Sequence, residues 1–482
     1  MAAVPSDPIT DLDALALSTA IHAREISCVE VMAAYLDRIE AVNPVVNALV
    51  SLRPREGLLA EAASADADLA RGHDRGWLHG IPQAPKDLTA TAGIATTMGS
   101  PALAGYVPTA HSILVERTVA AGAILIGKTN TPEFGLGSHT FNPVFGTTLN
   151  AWDRARSAGG SSGGAAVALA TRMLPVADGS DMMGSLRNPA GWNNVYGFRP
   201  SIGRVPSGPT PELFLQQLVT EGPMGRSVAD LARLLATEAG YDPRMPLSLD
   251  GDASVFAGPL ASDPAGLRIG CLGDLGGHLA MEPGILATCE AALGHLAALG
   301  CVVEPVRIDF DPDALWQAWV TFRSFLVAGT LGPLLDDPAT RDTLKPEAVW
   351  EIDEGRKLAA ADVLRASATR SAWYRAVLGL HETWDFLALP TAQVFPFDAA
   401  ERWPAVVAGR AMDTYHRWME VVIPASMAGT PALALPAGFG PGGLPIGLQL
   451  IGPPRGDLAV LRLGHAYDAV QPYTARPAPA AG

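Results

Sequence analysis

One lysine and two serines in glycine- or proline-rich segments are the residues best suited to nucleophilic chemistry. Lys86 ends the stretch HGIPQAPK, Ser161 lies in the run GGSSGG, and Ser185 ends the stretch GSDMMGS. A serine hydroxyl is a poor nucleophile until a base removes its proton. A lysine can be that base when burial disfavours its charged form and lowers its pKa. The apolar and proline neighbours of Lys86 predict such burial, so the three residues together indicate acyl transfer.

Histidine is not the natural base for this chemistry. The sequence contains no obvious Ser–His–Asp arrangement. His79, His111 and His139 are therefore predicted to be structural. A Ser–His alternative, with His139 acting as base for Ser185, stays open as the less favoured hypothesis.

Two neighbours of the candidate residues leave further alternatives open. Ser162 is adjacent to Ser161 and could take its place, although the spacing favours Ser161. Asp87 follows Lys86 directly, and an ion pair between them would keep the lysine charged and unable to act as a base. Taken singly, a glycine–serine loop is most often only a turn, and a lone lysine is most often solvated.

The order and spacing of these segments resemble those of the amidase-signature hydrolases. Ser161 lies 75 residues after Lys86, and Ser185 lies 24 residues after Ser161, as in the Lys–Ser–Ser triad of that family. Further segments that look like the family's core motifs are 127–134, 142–150, 197–205, 221–230 and 443–452. The resemblance covers nearly the whole chain and leaves 312–421 as the divergent part.

The resemblance implies a role for each member of the triad. Ser185 would attack the carbonyl carbon, Ser161 would relay its proton, and neutral Lys86 would receive that proton. Ser161 would then protonate the leaving amine, and water would hydrolyse the acyl-enzyme. Gly160 and Ser162 flank the relay serine as supporting residues, and by analogy the peptide bond between Gly160 and Ser161 is expected to be cis.

The oxyanion of the tetrahedral intermediate needs hydrogen-bond donors that are already in place. The candidates are the backbone N–H groups of four consecutive residues, Met182, Met183, Gly184 and Ser185. The family usually has glycine where this chain has Met183, so a methionine side chain must fit beside the acyl pocket. Asp181 and Arg187 are expected to brace this loop through hydrogen bonds without taking part in the chemistry.

The elements that must position these residues alternate between helix and short buried strand. Apolar residues recur at helical spacing from Asp11 to Ala48, with Ser18 as the candidate cap and Asn43-Pro44 as the end. Ala123–Ile126 and Leu174–Ala177 are predicted to be buried strands, and Asp178–Pro189 a loop. Further strands are predicted at Arg268–Cys271, Cys301–Val306, Pro431–Leu435 and Pro445–Ile451. This alternation predicts an α/β fold, and the resemblance implies a central mixed β-sheet with helices on both faces.

A single domain spanning residues 1–482 is expected. It would comprise N-terminal helices in 1–70, a signature core with the triad in 71–210, and a helical substrate-site section in 312–421. Gly122–Thr129 matches the phosphate-loop pattern GxxxxGK[ST], but its four middle residues are predicted to be a strand. Their N–H groups would be used within a sheet, so nucleotide binding is disfavoured.

Composition excludes several other functions. The net charge is −15, so neither nucleic acid nor an anionic membrane surface is an expected partner. The four cysteines, Cys28, Cys271, Cys289 and Cys301, show neither disulfide nor metal-ligand spacing. We expect no metal, no cofactor, no membrane span and no signal peptide, and hence a cytoplasmic enzyme. Homodimerisation, common in the family, is possible.

The substrate is the least determined property. Seven tryptophans between Pro312 and Val421 suggest an apolar or aryl-bearing substrate, although they could equally pack helices. The resemblance implies hydrolysis of small amides. The segment 188–194, with Met182 and Met183, is similar to family members that cleave carbamates (urethanases). Two alternatives are the glutaminase subunit of a tRNA-dependent amidotransferase and a non-catalytic scaffold of the same fold.

Overall fold

The computed structural model describes residues 7–215, 217–471, 473–475 and 478–479. The first six residues, on which the prediction of no signal peptide rests, lie outside this part of the chain. The α-helices are α1 (Pro8–Asp11), α2 (Ala14–His22), α3 (Cys28–Val46), α4 (Arg55–Ala70), α5 (Ile113–Ala120), α6 (Gly163–Ala170), α7 (Arg187–Asn193), α8 (Val228–Glu238), α9 (Ile285–Ala298), α10 (Pro312–Asp336), α11 (Pro346–Arg356), α12 (Ala360–His381), α13 (Ile423–Ala428) and α14 (Asp457–Val470).

The strands are mostly short. They are β1 (Leu49–Val50), β2 (Pro82–Gln83), β3 (Ile124–Leu125), β4 (Lys128–Thr129), β5 (Phe141–Asn142), β6 (Gly146–Thr147), β7 (Val176–Asp181), β8 (Tyr196–Arg199), β9 (Thr220–Gly225), β10 (Arg268–Cys271), β11 (Val302–Pro305), β12 (Phe386–Pro390), β13 (Val406–Val407), β14 (Arg410–Ala411), β15 (Ala432–Phe439) and β16 (Pro445–Ile451).

Eight of these strands form one mixed sheet, in the order β11-β10-β12-β16-β15-β8-β9-β7. Strand β10 pairs in parallel with β11 and β12, and the remaining pairs are antiparallel. Helices flank this sheet, and every residue of β12 and β16 is buried, as expected for central strands covered on both faces. The predicted α/β class with a central mixed sheet is confirmed.

The N-terminal helical region is divided differently from the prediction. A break at 23–27 separates α2 from α3, and Ser27 rather than Ser18 caps α3, in a capping box with Glu30. Ser18 lies inside α2. Helix α3 continues through Pro44 to Val46, so the predicted helix end at Asn43-Pro44 was also wrong. A capping box satisfies two free backbone donors at once, which explains why Ser27 begins the helix.

Three strands of the central sheet were not predicted, and two were predicted too short, of which β15 continues to Phe439. Strand β7 runs on to Asp181, so part of the expected loop 178–189 is sheet. The unpredicted strands β8, β9 and β12 contain glycine, proline or arginine within four to six residues. Such short segments carry no clear period, and tertiary pairing decides their conformation.

Helix α10 has the length and apolar composition of a membrane-spanning helix. Its middle nevertheless holds Arg323, which is buried and paired with Glu351 of α11. The same helix packs against α11 and α12. A buried ion pair and helix neighbours on one side are typical of a helix within a folded protein.

Candidate active site

Lys86 lies at the centre of a buried polar cluster. It follows β2 and forms a bridge with Thr129 of β4, and its side chain is fully buried. Its Nζ lies within hydrogen-bond distance of three hydroxyl oxygens, at 2.8 Å from Ser161 Oγ, 2.9 Å from Ser162 Oγ and 3.0 Å from Ser180 Oγ. Every strong contact of the amine is thus to a hydroxyl group, which suits a neutral base better than a charged one.

Burial lowers the pKa of Lys86 to about 7, and Asp178, Asp181 and Glu221 oppose this shift electrostatically. At neutral pH a large fraction of the amine is therefore unprotonated and able to accept a proton. The ion pair with Asp87 is not formed. Asp87 instead accepts hydrogen bonds from Thr97, at 2.6 Å from its hydroxyl group and 3.1 Å from its backbone N–H.

Ser161 and Ser162 differ in what surrounds them. Ser161 lines the cavity beside Ser185, whereas Ser162 is completely buried and also contacts the backbone of Ser180, accepting from its N–H at 3.3 Å. The expected cis peptide bond between Gly160 and Ser161 is present. Of these two serines, the geometry favours Ser161 as the relay, because Ser161 both contacts the amine and lines the cavity.

Variants at this serine pair separate the two assignments. We expect Ser161→Ala to lower kcat by about 10²- to 10³-fold, the usual contribution of a positioned proton-transfer group. Ser162→Ala should lower it by less than about tenfold, because it removes one of several hydrogen bonds to Lys86. Steady-state kinetics on both purified variants checks this prediction, and the reverse order of effects would make Ser162 the relay.

Ser185 lies in the turn that joins strand β7 to helix α7. Gly184 precedes it with φ of +80°, and a Cβ atom there would lie 2.9 Å from both methyl groups of Val422. Only glycine accommodates both this conformation and this close approach. The turn therefore depends on Gly184, and it places the Ser185 side chain at the wall of the cavity.

Asp181 and Arg187 make the hydrogen bonds that were expected to brace this turn. Asp181 accepts from Arg187 Nε and Nη2, both at 3.0 Å, and from the backbone N–H of Leu186 at 3.1 Å. Arg199 is a second buried cation on the same carboxylate, at 3.1 Å. These arginines hold the pKa of Asp181 well below its usual range against the effect of burial, so the bracing group is a carboxylate.

One of the four predicted oxyanion donors is otherwise occupied. The N–H of Gly184 donates to Asp181 Oδ1 at 2.9 Å, so it stabilises the turn and is not free for an oxyanion. This removes Gly184 from the predicted donor set. Within the described residues, the N–H groups of Met182, Met183 and Ser185 have no hydrogen-bond acceptor, and they remain the predicted donors.

The cavity in front of Ser185 has a volume of about 250 Å³ and is mainly apolar. Its apolar wall includes Leu88, Met98, Phe134, Met183, Leu326 and Met419. Met183 is itself almost fully buried, so the methionine that replaces the family's usual glycine occupies space beside the nucleophile. The site can accept a small hydrophobic group next to the scissile carbonyl.

The tryptophans of the section 312–421 do not line this cavity. Five of them are buried in the protein core, namely Trp316, Trp319, Trp373, Trp384 and Trp418. The suggestion that they contact substrate was therefore wrong, and they pack helices against the sheet. The section still contributes to the site, because α10 supplies Arg323, Leu326 and Val327 to the cavity wall.

The predicted structural roles of the histidines fit their contacts. His139 Nδ1 lies 2.7 Å from Ser157 Oγ and its Nε2 lies 3.1 Å from the Ala399 carbonyl oxygen. Both ring nitrogens are thus engaged, and burial lowers the pKa of His139 to about 4. His79 and His111 likewise bond backbone groups. Nothing in these contacts supports His139 as the base for Ser185.

The segment Gly122–Thr129, which matches the phosphate-loop pattern, has its backbone and lysine engaged in structural contacts. Ile124 and Ile126 donate their N–H groups to Ile81 and Gln83, so they are engaged in strand pairing as predicted. Lys128 is buried and donates to Thr91 Oγ1 at 2.7 Å. Within the described residues, no group of three or more His, Cys, Asp or Glu side chains could hold a metal ion.

Three residues that support Lys86 were missed at the sequence level. Ser180 contacts the amine and Asp178 accepts the backbone N–H of Lys86 at 3.1 Å. The half-buried Glu221 interacts electrostatically with the amine, and desolvation of its carboxyl group raises its own pKa to about 8. Asp178 and Ser180 lie shortly before Ser185 in the sequence. Residue type alone does not show whether such a polar side chain contacts Lys86 or is exposed to solvent. Side chains alternate between the two faces of a strand, so Asp178 and Ser180 of β7 lie on the same face. Recognising β7 as a strand to Asp181 would have placed both residues together.

Comparisons with known proteins agree with this geometry. The family model Amidase matches residues 30–461. The chain is 33% identical over 468 residues to an acylamidase of Rhodococcus erythropolis, covering 96% of both chains. It is 34% identical over 489 residues to a glutamyl-tRNA(Gln) amidotransferase subunit of Chloroflexus aurantiacus, covering 97% of this chain and 98% of the relative.

The solved structure of a bacterial aryl acylamidase of the amidase-signature family superimposes with a TM-score of 0.91 at 28% identity. The superposition covers 98% of this chain and 99% of that one. The fold, the extent of the family match and the similarity to amide hydrolases agree across the whole chain. This protein belongs to the amidase-signature family and is an amide C–N hydrolase.

Proposed function

We propose that this enzyme hydrolyses small amides bearing an uncharged hydrophobic or aryl group, through an acyl-enzyme on Ser185. The observation that carries the proposal is the joint placement of Ser185, Ser161 and Lys86. Both serines line one apolar cavity, and the buried Lys86 amine is 2.8 Å from Ser161 Oγ. This arrangement lets a proton pass from nucleophile to relay to base without histidine.

In this mechanism Ser185 Oγ attacks the substrate carbonyl carbon as its proton passes to Ser161 and that of Ser161 passes to Lys86. The negative charge on the carbonyl oxygen is stabilised by the N–H groups of Met182, Met183 and Ser185. The amine leaves with a proton returned through Ser161, and water then repeats the sequence to release the acid. The Asp181–Arg187 contacts keep the turn in position throughout.

The similarity to a glutamyl-tRNA(Gln) amidotransferase subunit favours glutaminase activity as a second candidate. Glutamine carries an α-ammonium and an α-carboxylate, and each needs a compensating charge when it leaves water. Among the described residues lining the cavity, none is acidic and the only cation is Arg323, which already pairs with Glu351. The cavity therefore lacks a partner for the ammonium group, and small hydrophobic amides suit it better.

A four-substrate panel tests the proposal. It consists of an aryl amide, an alkyl amide, glutamine and an aryl carbamate, with release of free amine followed by mass spectrometry. We expect kcat/KM for the aryl amide to exceed that for glutamine by about 100-fold or more, because desolvation of the charged amino acid is uncompensated. Comparable turnover of the carbamate would extend the substrate class to carbamates. Preference for glutamine would refute the proposal.

A further inference from the structure

Arg323 is the one ionisable residue in the cavity wall among the described residues, and its Nε and Nη2 atoms already have strong hydrogen-bond acceptors. Its side chain is 3% exposed. Nε donates to Glu351 Oε1, and Nη2 donates to Tyr415 Oη at 2.7 Å. Tyr415 Oη in turn donates to Glu351 Oε1 at 2.8 Å. Arginine has five N–H donors in a fixed fork, so these contacts leave the Nη1 end to be accounted for.

Nη1 of Arg323 has only a weak acceptor. Its described partner is the thioether sulfur of Met182, at 3.5 Å, and thioether sulfur is a poor hydrogen-bond acceptor. Met182 directly follows the end of strand β7 and also lines the cavity. A buried charged donor without a strong acceptor is costly, and here it belongs to the wall of a cavity that holds substrate.

The charge of Arg323 is already balanced. Glu351 is completely buried and forms an ion pair with it, and His416, 3.7 Å from Glu351, has its pKa lowered well below its usual value by burial. A substrate carboxylate at Nη1 would therefore add an uncompensated negative charge to a buried site. A neutral oxygen would accept the free N–H without that cost.

We propose that Arg323 Nη1 hydrogen-bonds an uncharged acceptor oxygen of the substrate, remote from the scissile bond. The enzyme thus selects hydrophobic amides that carry a carbonyl or ether oxygen at one position, and it discriminates against anionic ones. This inference rests on the proposed function and adds to it a specificity-determining residue that touches the substrate. The chemical reason for the selection is that Arg323 Nη1 lacks a strong acceptor while the charge of Arg323 is already balanced by Glu351.

Binding measurements on a variant that cannot hydrolyse substrate test the inference separately from activity. In Ser185→Ala protein, Kd would be measured by calorimetry for pentanoyl anilide and for isosteres in which each chain methylene beyond the α-carbon is replaced in turn by oxygen. A para-methoxy and para-ethyl anilide pair tests the amine side. We expect one oxygen position to bind about 10- to 100-fold more tightly than its methylene counterpart. The monoanilide of glutaric acid should show no such gain.

Adding Arg323→Met should abolish the oxygen preference while changing the affinity for the all-methylene anilide by less than about threefold. Because this change leaves Glu351 unpaired, the Arg323→Met/Glu351→Gln combination serves as a charge-balanced second variant with the same expected result. Arg356→Met is the matched control, since Arg356 is partly exposed and pairs with Asp336. It should retain the preference.

Several results would overturn the inference. These are equal affinity for every isostere, an equal loss for all ligands on changing Arg323, tightest binding of the glutaric monoanilide, and failure of every ligand to bind. The failure of the proposed function shows differently, as absence of anilide turnover by the wild-type enzyme even where the binding preference is present.

Discussion

Ser185→Ala is expected to lower kcat for an aryl amide by about 10⁴-fold or more, because it removes the atom that forms the acyl bond. The substitution should leave the site otherwise intact. In the described part of the chain, the hydrogen bond recorded for Ser185 involves its backbone carbonyl, which accepts from Ser162 N–H at 3.3 Å. KM should therefore stay within about tenfold of the wild-type value. Steady-state and single-turnover kinetics measure both effects.

Folding of this variant is checked by its thermal unfolding midpoint, which should match that of the wild type within a few degrees. Activity that persists at more than about one per cent of wild type in correctly folded Ser185→Ala protein would mean that another group is the nucleophile. The assignment of Lys86 and Ser161 to proton transfer would then lose its basis.

Lys86→Met is expected to lower kcat/KM by about 10⁴-fold, since it removes the terminal proton acceptor and leaves Ser161 without a base. Methionine has a similar length and no charge, so it suits the fully buried position. Lys128→Met is the matched comparison. Lys128 is also buried, but its Nζ bonds Thr91 and the carbonyl oxygen of Thr89 rather than a cavity serine. Its replacement should reduce kcat/KM by less than about tenfold.

The wild-type pH profile reports the same base. Lys86 acts in its neutral form, whose fraction rises as pH increases through a pKa of about 7. Activity should therefore be about tenfold lower at pH 6 than on the plateau above pH 8. The groups facing the amine, Asp178, Asp181 and Glu221, favour its charged form and oppose the larger effect of burial. A kcat/KM that is constant or falls from pH 6 to pH 8 would contradict a lysine base.

The site residues were more predictable from sequence than the elements that hold them. Lys86, Ser161 and Ser185 stand in segments whose composition and spacing match a family pattern, so local sequence was sufficient to select them. Their hydrogen-bond partners depend on how β7 pairs in the sheet and how α6 approaches it. Gly179 shows this dependence, since a Cβ atom there would lie 2.6 Å from Ser162 Oγ, a contact that no local pattern predicts.

Two of the wrong predictions were made from residue type alone, without regard to the residue's neighbours. The tryptophans of 312–421 were assigned to the cavity by composition, but burying such large rings in the core is also favourable, and composition does not distinguish the two environments. Ser18 was chosen as a helix cap by its type, whereas Ser27 has the reciprocal partner, Glu30, three residues later. A third error, the assignment of the Gly184 N–H to the oxyanion, has a different origin, because its hydrogen bond to Asp181 exists only in the folded turn.

The most direct test of the account is to locate the acyl group on the enzyme. Wild-type protein would be mixed with an aryl carbamate bearing a good leaving group, quenched in acid and mapped by peptide mass spectrometry, with Ser185→Ala treated in parallel. The account predicts one carbamoyl adduct on Ser185 in the wild type and none in the variant. An adduct on Ser161, Ser162 or any other residue, or equal labelling of the variant, would contradict catalysis through Ser185.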